Sequence, residues 1–79
     1  MKLTVKLSTT LRDHVPGYEP EAGLQVEMPQ GSTVAQLAQH LGLPLEDIKI
    51  VMVHGRQQQV DDPMRDGDRI AYFPAVGGG

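Results

Sequence analysis

The chain has no cysteine. A disulfide-stapled secreted scaffold, a cysteine-based zinc site and a thiol nucleophile are therefore excluded. Positive charge is also scarce: seven basic residues stand against ten acidic ones, a formal net charge of −3. Nucleic-acid binding needs a basic face to neutralise phosphates, so this balance speaks against it. It fits a protein partner with a basic docking surface better. No apolar run approaches the roughly 18 residues of a membrane-spanning helix. Strand-like alternation starts at Lys2, so no secretory leader is expected and the expected compartment is the cytosol. Length is short as well. Seventy-nine residues make one domain with a modest core, and no internal repeat is visible.

Catalytic and metal constellations are missing too. The three histidines, His14, His40 and His54, fall on a loop, a helix and a turn, and no two have the i, i+4 spacing of a helical metal pair. Ser32 and Thr33 are the best hydroxyl candidates, but a helix cap accounts for them. Asp61, Asp62, Asp66 and Asp68 with Gly67 invite a calcium reading, yet no Glu follows Gly67 to complete such a loop. Tight turns explain these residues instead. The terminal glycines are not a phosphate loop, because neither Lys nor helix follows them. The reading is thus of a protein that is not an enzyme by itself and holds no metal.

What is present is a clear order of elements. Lys2 to Leu7 alternates polar and apolar residues, placing Leu3, Val5 and Leu7 on one face of a strand. Ser8 to His14 makes a short helical turn with Leu11 inward, and Val15 to Gly23 is loop. Leu24 to Met28 alternates again, so residues 3–28 form a hairpin with a long connection. Thr33 and Gln36 compose a Thr-x-x-Gln capping box. Val34, Leu37, Ala38 and Leu41 then fall on one helical face, and Gly42 closes the helix. Leu45-Glu46-Asp47 adds one turn. Ile48 to Val53 is the most apolar strand and the one expected to be covered. His54-Gly55 is a two-residue hairpin link to a strand over 56–60. Arg69 to Phe73 is the last strand, ended by Pro74, which has no N–H for a ladder.

One amphipathic helix among five strands must bury its stripe against a sheet. The fold class is α+β, a mixed sheet of four to five strands grasping one main helix, with the first and last strands adjacent at its centre. Residues 1–74 form the domain and 75–79 a flexible glycine tail. Three terminal glycines alone can be a frayed end. Here they follow a core strand directly, so a fixed point projects a carboxylate up to about 16 Å, at roughly 3.3 Å per residue. Glycine has no Cβ and threads a slot too narrow for other residues. Joined to AMP, a carboxylate becomes a mixed anhydride open to sulfur or nitrogen nucleophiles.

The ending Asp66-Gly67-Asp68-Arg69-Ile70-Ala71-Tyr72-Phe73-Pro74-Ala75-Val76-Gly77-Gly78-Gly79 resembles that of the MoaD/ThiS sulfur carriers, and the Phe-Pro-x-Val form is nearer the MoaD branch, the small subunit of molybdopterin synthase. Gly31 to Leu37 and Val51 to Arg56 agree with it. The resemblance implies a β-grasp, ubiquitin-like fold. It implies that Gly79 is adenylated, with ATP and Mg²⁺, by a separate MoeB/ThiF-like activating enzyme and converted to a thiocarboxylate. A MoaE-like large synthase subunit then holds the pterin acceptor. Gly77 and Gly78 would thread the partner's channel, while Phe73, Pro74 and Val76 would dock beside it, although an aromatic at 73 can equally be core. Two positions depart from the family pattern: His54 replaces the usual Asn, and Gly77 makes three glycines where two are usual. Other acceptors remain open (thiamine thiazole, a tRNA base, a sulfur amino acid), as do a protein modifier forming isopeptide bonds and an interaction domain with an inert tail.

Overall fold

The computed structural model describes residues 1–74. Five strands are present: β1 (Lys2–Leu7), β2 (Leu24–Glu27), β3 (Ile48–Val53), β4 (Arg56–Gln58) and β5 (Arg69–Pro74). One α-helix, α1 (Val34–Leu41), and two 3₁₀ turns, Thr9–His14 and Leu45–Asp47, join them. The sheet order is β2-β1-β5-β3-β4. β1 and β5 run parallel at the centre, and the other neighbours are antiparallel. The early hairpin and the late strands thus meet along the first and last strands, the arrangement expected from the element order.

Local chemistry sets the boundaries. Thr33 Oγ1 accepts from the Gln36 N–H at 3.2 Å, and the Gln36 side chain accepts from the Thr33 N–H at 2.8 Å. This reciprocal cap satisfies two donors that a helix start leaves unpaired. Gly42 ends α1 in the left-handed region at φ 80°. At the β3–β4 link His54 (φ 50°) and Gly55 (φ 79°) are both left-handed, the geometry of a tight hairpin whose twist matches its strands.

Two strands end elsewhere than their sequence pattern indicates. β4 stops at Gln58, two residues short of Val60. The Asp62 carboxylate takes the Gln59 N–H at 2.9 Å, and the Val60 carbonyl takes the Ala35 N–H at 2.7 Å. Those bonds turn the chain toward the start of α1. β5 runs on through Pro74, which sits opposite Ile48 across a register shift.

The core lies between one sheet face and α1. Leu3, Val5 and Leu7 of β1, Val51 of β3, and Ile70 and Tyr72 of β5 meet Val34, Leu37 and Ala38 of the helix, with Leu11, Leu43 and Met64 closing the ends. Tyr72 is fully buried, and its hydroxyl donates to the Val34 carbonyl at 2.8 Å. Desolvation holds its phenol well above the usual tyrosine range. That bond pins the central strand to the first turn of the helix. The connection 15–23 is strapped to β1: the Tyr18 hydroxyl accepts the Leu7 N–H at 2.8 Å, and Lys6 Nζ donates to the Pro20 carbonyl at 3.1 Å. Gly23 passes so close that a Cβ there would lie 2.6 Å from the Val5 carbonyl oxygen.

Candidate functional site

β5 is the element that leads to the glycine ending, and its alternation sorts neighbouring aromatics to opposite sides. Tyr72 points into the core, while Phe73 lies on the other face and is 37% exposed. Cross-strand register then decides what surrounds Phe73. Ile50 is its partner on β3, and Met52 stands opposite Ala71. On the other side of β5, Lys6 pairs with Ala71 and Thr4 with Arg69. Residues two apart on a strand share a face, so Ile50, Met52, Ala71 and Phe73 form one apolar patch on the uncovered side of the sheet. Ile50 is itself 37% exposed. Lys6, Met52, His54, Arg69, Ala71 and Phe73 line an open concavity of about 570 Å³ there.

This corrects the expectation that β3 is a covered strand. Val51 is buried, but Ile50 is exposed and Met52 only half-buried. Among the described residues there is one α-helix, and it covers one face; the apolar residues that β3 turns the other way stay in contact with water. Phe73 is therefore a surface aromatic and not part of the core. Pro74, the other docking candidate within the described residues, is half-buried at the end of β5. Val76, Gly77, Gly78 and Gly79, and with them the whole proposed tail 75–79, lie outside the described residues. Sequence reasoning located Phe73 but missed Ile50, Met52, Lys6 and Arg69. Period-2 alternation in Ile48 to Val53 was the available signal, masked because both faces of that strand are apolar.

The other polar candidates resolve into structural roles. Asp66 Oδ1 accepts the Lys2 N–H at 2.6 Å, and Asp68 Oδ2 accepts the Arg65 N–H at 2.8 Å, so both serve turns, as does Asp62. Ser32 Oγ donates to the Pro29 carbonyl at 2.8 Å. His54 Nε2 lies 3.1 Å from Asp68 Oδ1, and His14 Nε2 lies 3.6 Å from Asp47. Among the described residues no group of three or more His, Asp or Glu side chains could hold a metal ion. No helix there is long and apolar enough to cross a membrane.

Solved structures with this fold are ubiquitin-like β-grasp proteins. A putative molybdopterin converting factor subunit 1 from Pyrococcus furiosus superposes with a TM-score of 0.74 at 23% identity, over 96% of this chain and 99% of that one. The small archaeal modifier protein 1 of Haloferax volcanii gives 0.74 at 19% identity, over 95% and 98%. A complex of subunits 1 and 2 of the molybdopterin-converting factor from Helicobacter pylori gives 0.62 at 16%, over the full length of both chains. No curated protein matches the chain in sequence. The family model described as Mut7-C ubiquitin matches residues 1–77, which bears out the ubiquitin-like resemblance read from the sequence: the chain belongs to the Mut7-C ubiquitin family.

Proposed function

We propose that this protein is a sulfur carrier in molybdopterin synthesis, whose Gly79 carboxylate is adenylated by a separate activating enzyme and converted to a thiocarboxylate. The carboxylate oxygen attacks the α-phosphorus of ATP and pyrophosphate leaves. Hydrosulfide then attacks the acyl-adenylate carbon, AMP leaves with the C–O bond's electron pair, and loss of the S–H proton gives the thiocarboxylate. A large synthase subunit holds the pterin acceptor, as subunit 2 accompanies subunit 1 in the Helicobacter pylori complex. ATP and Mg²⁺ belong to the activating enzyme; this chain supplies the carboxylate and the docking body.

The observation that carries this reading is the placement of Phe73. The strand that leads to Gly77-Gly78-Gly79 is anchored through Tyr72 on one face and offers an exposed apolar patch on the other. Energetics require such a patch. Fixing each residue of 75–79 costs roughly 1–2 kcal/mol, on the order of 5–10 kcal/mol in all. Backbone hydrogen bonds return only about 1 kcal/mol each, so a body interface of roughly 800 Å² on this side must supply the affinity. Intact-mass measurement after incubation with ATP, a sulfur source and the activating enzyme tests the proposal. A gain equal to the difference between a sulfur and an oxygen atom is expected, and an unchanged mass refutes it.

The likeness to a small archaeal modifier favours a second reading, in which Gly79 forms isopeptide bonds with lysines of target proteins. Covalent conjugates on denaturing gels, lost when Gly79 is deleted, would support that reading over the first.

A further inference from the structure

The chain as a whole is acidic, yet its outer sheet face is not. Lys6 and Arg69 flank the apolar patch from β1 and from the start of β5. Among the described residues neither is ion-paired with a carboxylate; the two short contacts between basic and acidic side chains there both involve histidines. Lys6 is held by main-chain carbonyls of Pro20 and Glu21, which fix its position without cancelling its charge. Off the strands, Glu21 lies in the strap whose carbonyl Lys6 holds, and Asp68 accepts the Arg65 N–H and meets His54 Nε2 at 3.1 Å, so its charge is shared with that histidine and that turn. Asp66 accepts the Lys2 N–H at the far end of β1. Of the strand residues on this face the one carboxylate is Glu27, on edge strand β2 opposite Lys2, two strands from β5.

Resting on the docking role proposed for this face, we infer that its partner presents an apolar surface rimmed by carboxylates, the reverse of the basic partner that the net charge alone indicates. Local charge at a contact outweighs distant charge, because salt screens interactions beyond about 10 Å at 0.1 M. Lys6 is already immobilised and loses little side-chain freedom on binding. A second copy of this chain is disfavoured as occupant, since apposed faces would bring like charges together. An anionic lipid surface offers the same charge over a continuous plane without an apolar centre at the contact, and phosphatidylserine vesicles distinguish it in the test.

The test uses the full chain, ¹⁵N-labelled, titrated with two synthetic peptides that share a Leu-Phe centre and carry flanking glutamates or flanking lysines. The glutamate peptide is expected to shift the amides of Lys6, Met52, Arg69, Ala71 and Phe73. Its affinity should fall about tenfold between 0.1 and 1 M salt as the screening length shrinks to roughly 3 Å. R69E should lower it further and favour the lysine peptide; K6Q should act in the same direction. Arg69 has an exposed side chain, so R69E alone decides if K6Q unsettles the loop. Equal binding of both peptides, no binding, shifts on another face, or binding only to phosphatidylserine vesicles would overturn the inference. Pyrophosphate exchange with the activating enzyme separates it from the function proposed above. Exchange without glutamate-peptide preference sinks the partner chemistry alone; peptide preference without exchange sinks the carrier function alone.

Discussion

Replacing Phe73 and Tyr72 one at a time separates docking from folding, because these neighbours occupy opposite faces of one strand. Fully burying a phenylalanine is worth about 1.5–3 kcal/mol. Phe73 is 37% exposed, so Phe73→Ala should cost about 1–2 kcal/mol of stability on that scale. In a domain of this size each kcal/mol moves Tm by about 4–8 °C, so a folded protein with a lowered Tm is expected. Tyr72 is fully buried and holds the Val34 carbonyl. Tyr72→Ala should cost about 3–5 kcal/mol or more, from the cavity and the lost hydrogen bond together. Small domains sit near the low end of the 5–15 kcal/mol range, so this variant should be largely unfolded. At an interface, truncating a central aromatic typically costs at least about 2 kcal/mol, roughly 30-fold in affinity. Phe73→Ala should therefore raise the KM for this chain in pyrophosphate exchange by about that factor, with a far-ultraviolet spectrum like the wild type. A Phe73→Ala protein with unchanged KM, or one as unfolded as Tyr72→Ala, would refute the assignment of the outer face.

Further outcomes follow from single contacts. Burial raises the Tyr72 phenol, so its contribution to stability is complete below the unfolded value of about 10 and is lost as pH climbs above it, at up to about 1.4 kcal/mol per unit. Denaturant titrations from pH 9 to 12 on wild type and Tyr72→Phe should show this decline diminished in the variant. Gly23→Ala places a Cβ against the Val5 carbonyl at a left-handed φ of 72° and should destabilise by on the order of 1–3 kcal/mol; an unchanged Tm would contradict that packing. Thr33→Ala removes half of the capping box and should cost about 1 kcal/mol by chemical denaturation.

Much of this fold is legible in the sequence because its signals are local. Thr33 and Gln36 are three residues apart, Gly42 follows the last apolar helical residue, and His54-Gly55 fills a two-residue turn, so each is specified by neighbours in the chain. What is not legible depends on pairing. Nothing in Ile48 to Val53 says which side α1 will cover, since both are apolar; the register that sets Val51 beside Tyr72 decides it. Alternation places Tyr72 and Phe73 on opposite faces but does not say which is inside. The end of β4 depends on Asp62 capping Gln59, a contact no periodicity encodes. The site was half-visible for the same reason: Phe73 is marked by its place before the glycine ending, whereas Lys6 and Arg69 join it only through the parallel pairing of β1 with β5.

The most direct measurement is ATP–pyrophosphate exchange by the cognate activating enzyme, with the intact chain and with the chain lacking Gly79. The account predicts exchange with the first, none with the second, and superimposable melting curves for both. Equal exchange with the two chains, or none with the intact one, would contradict it.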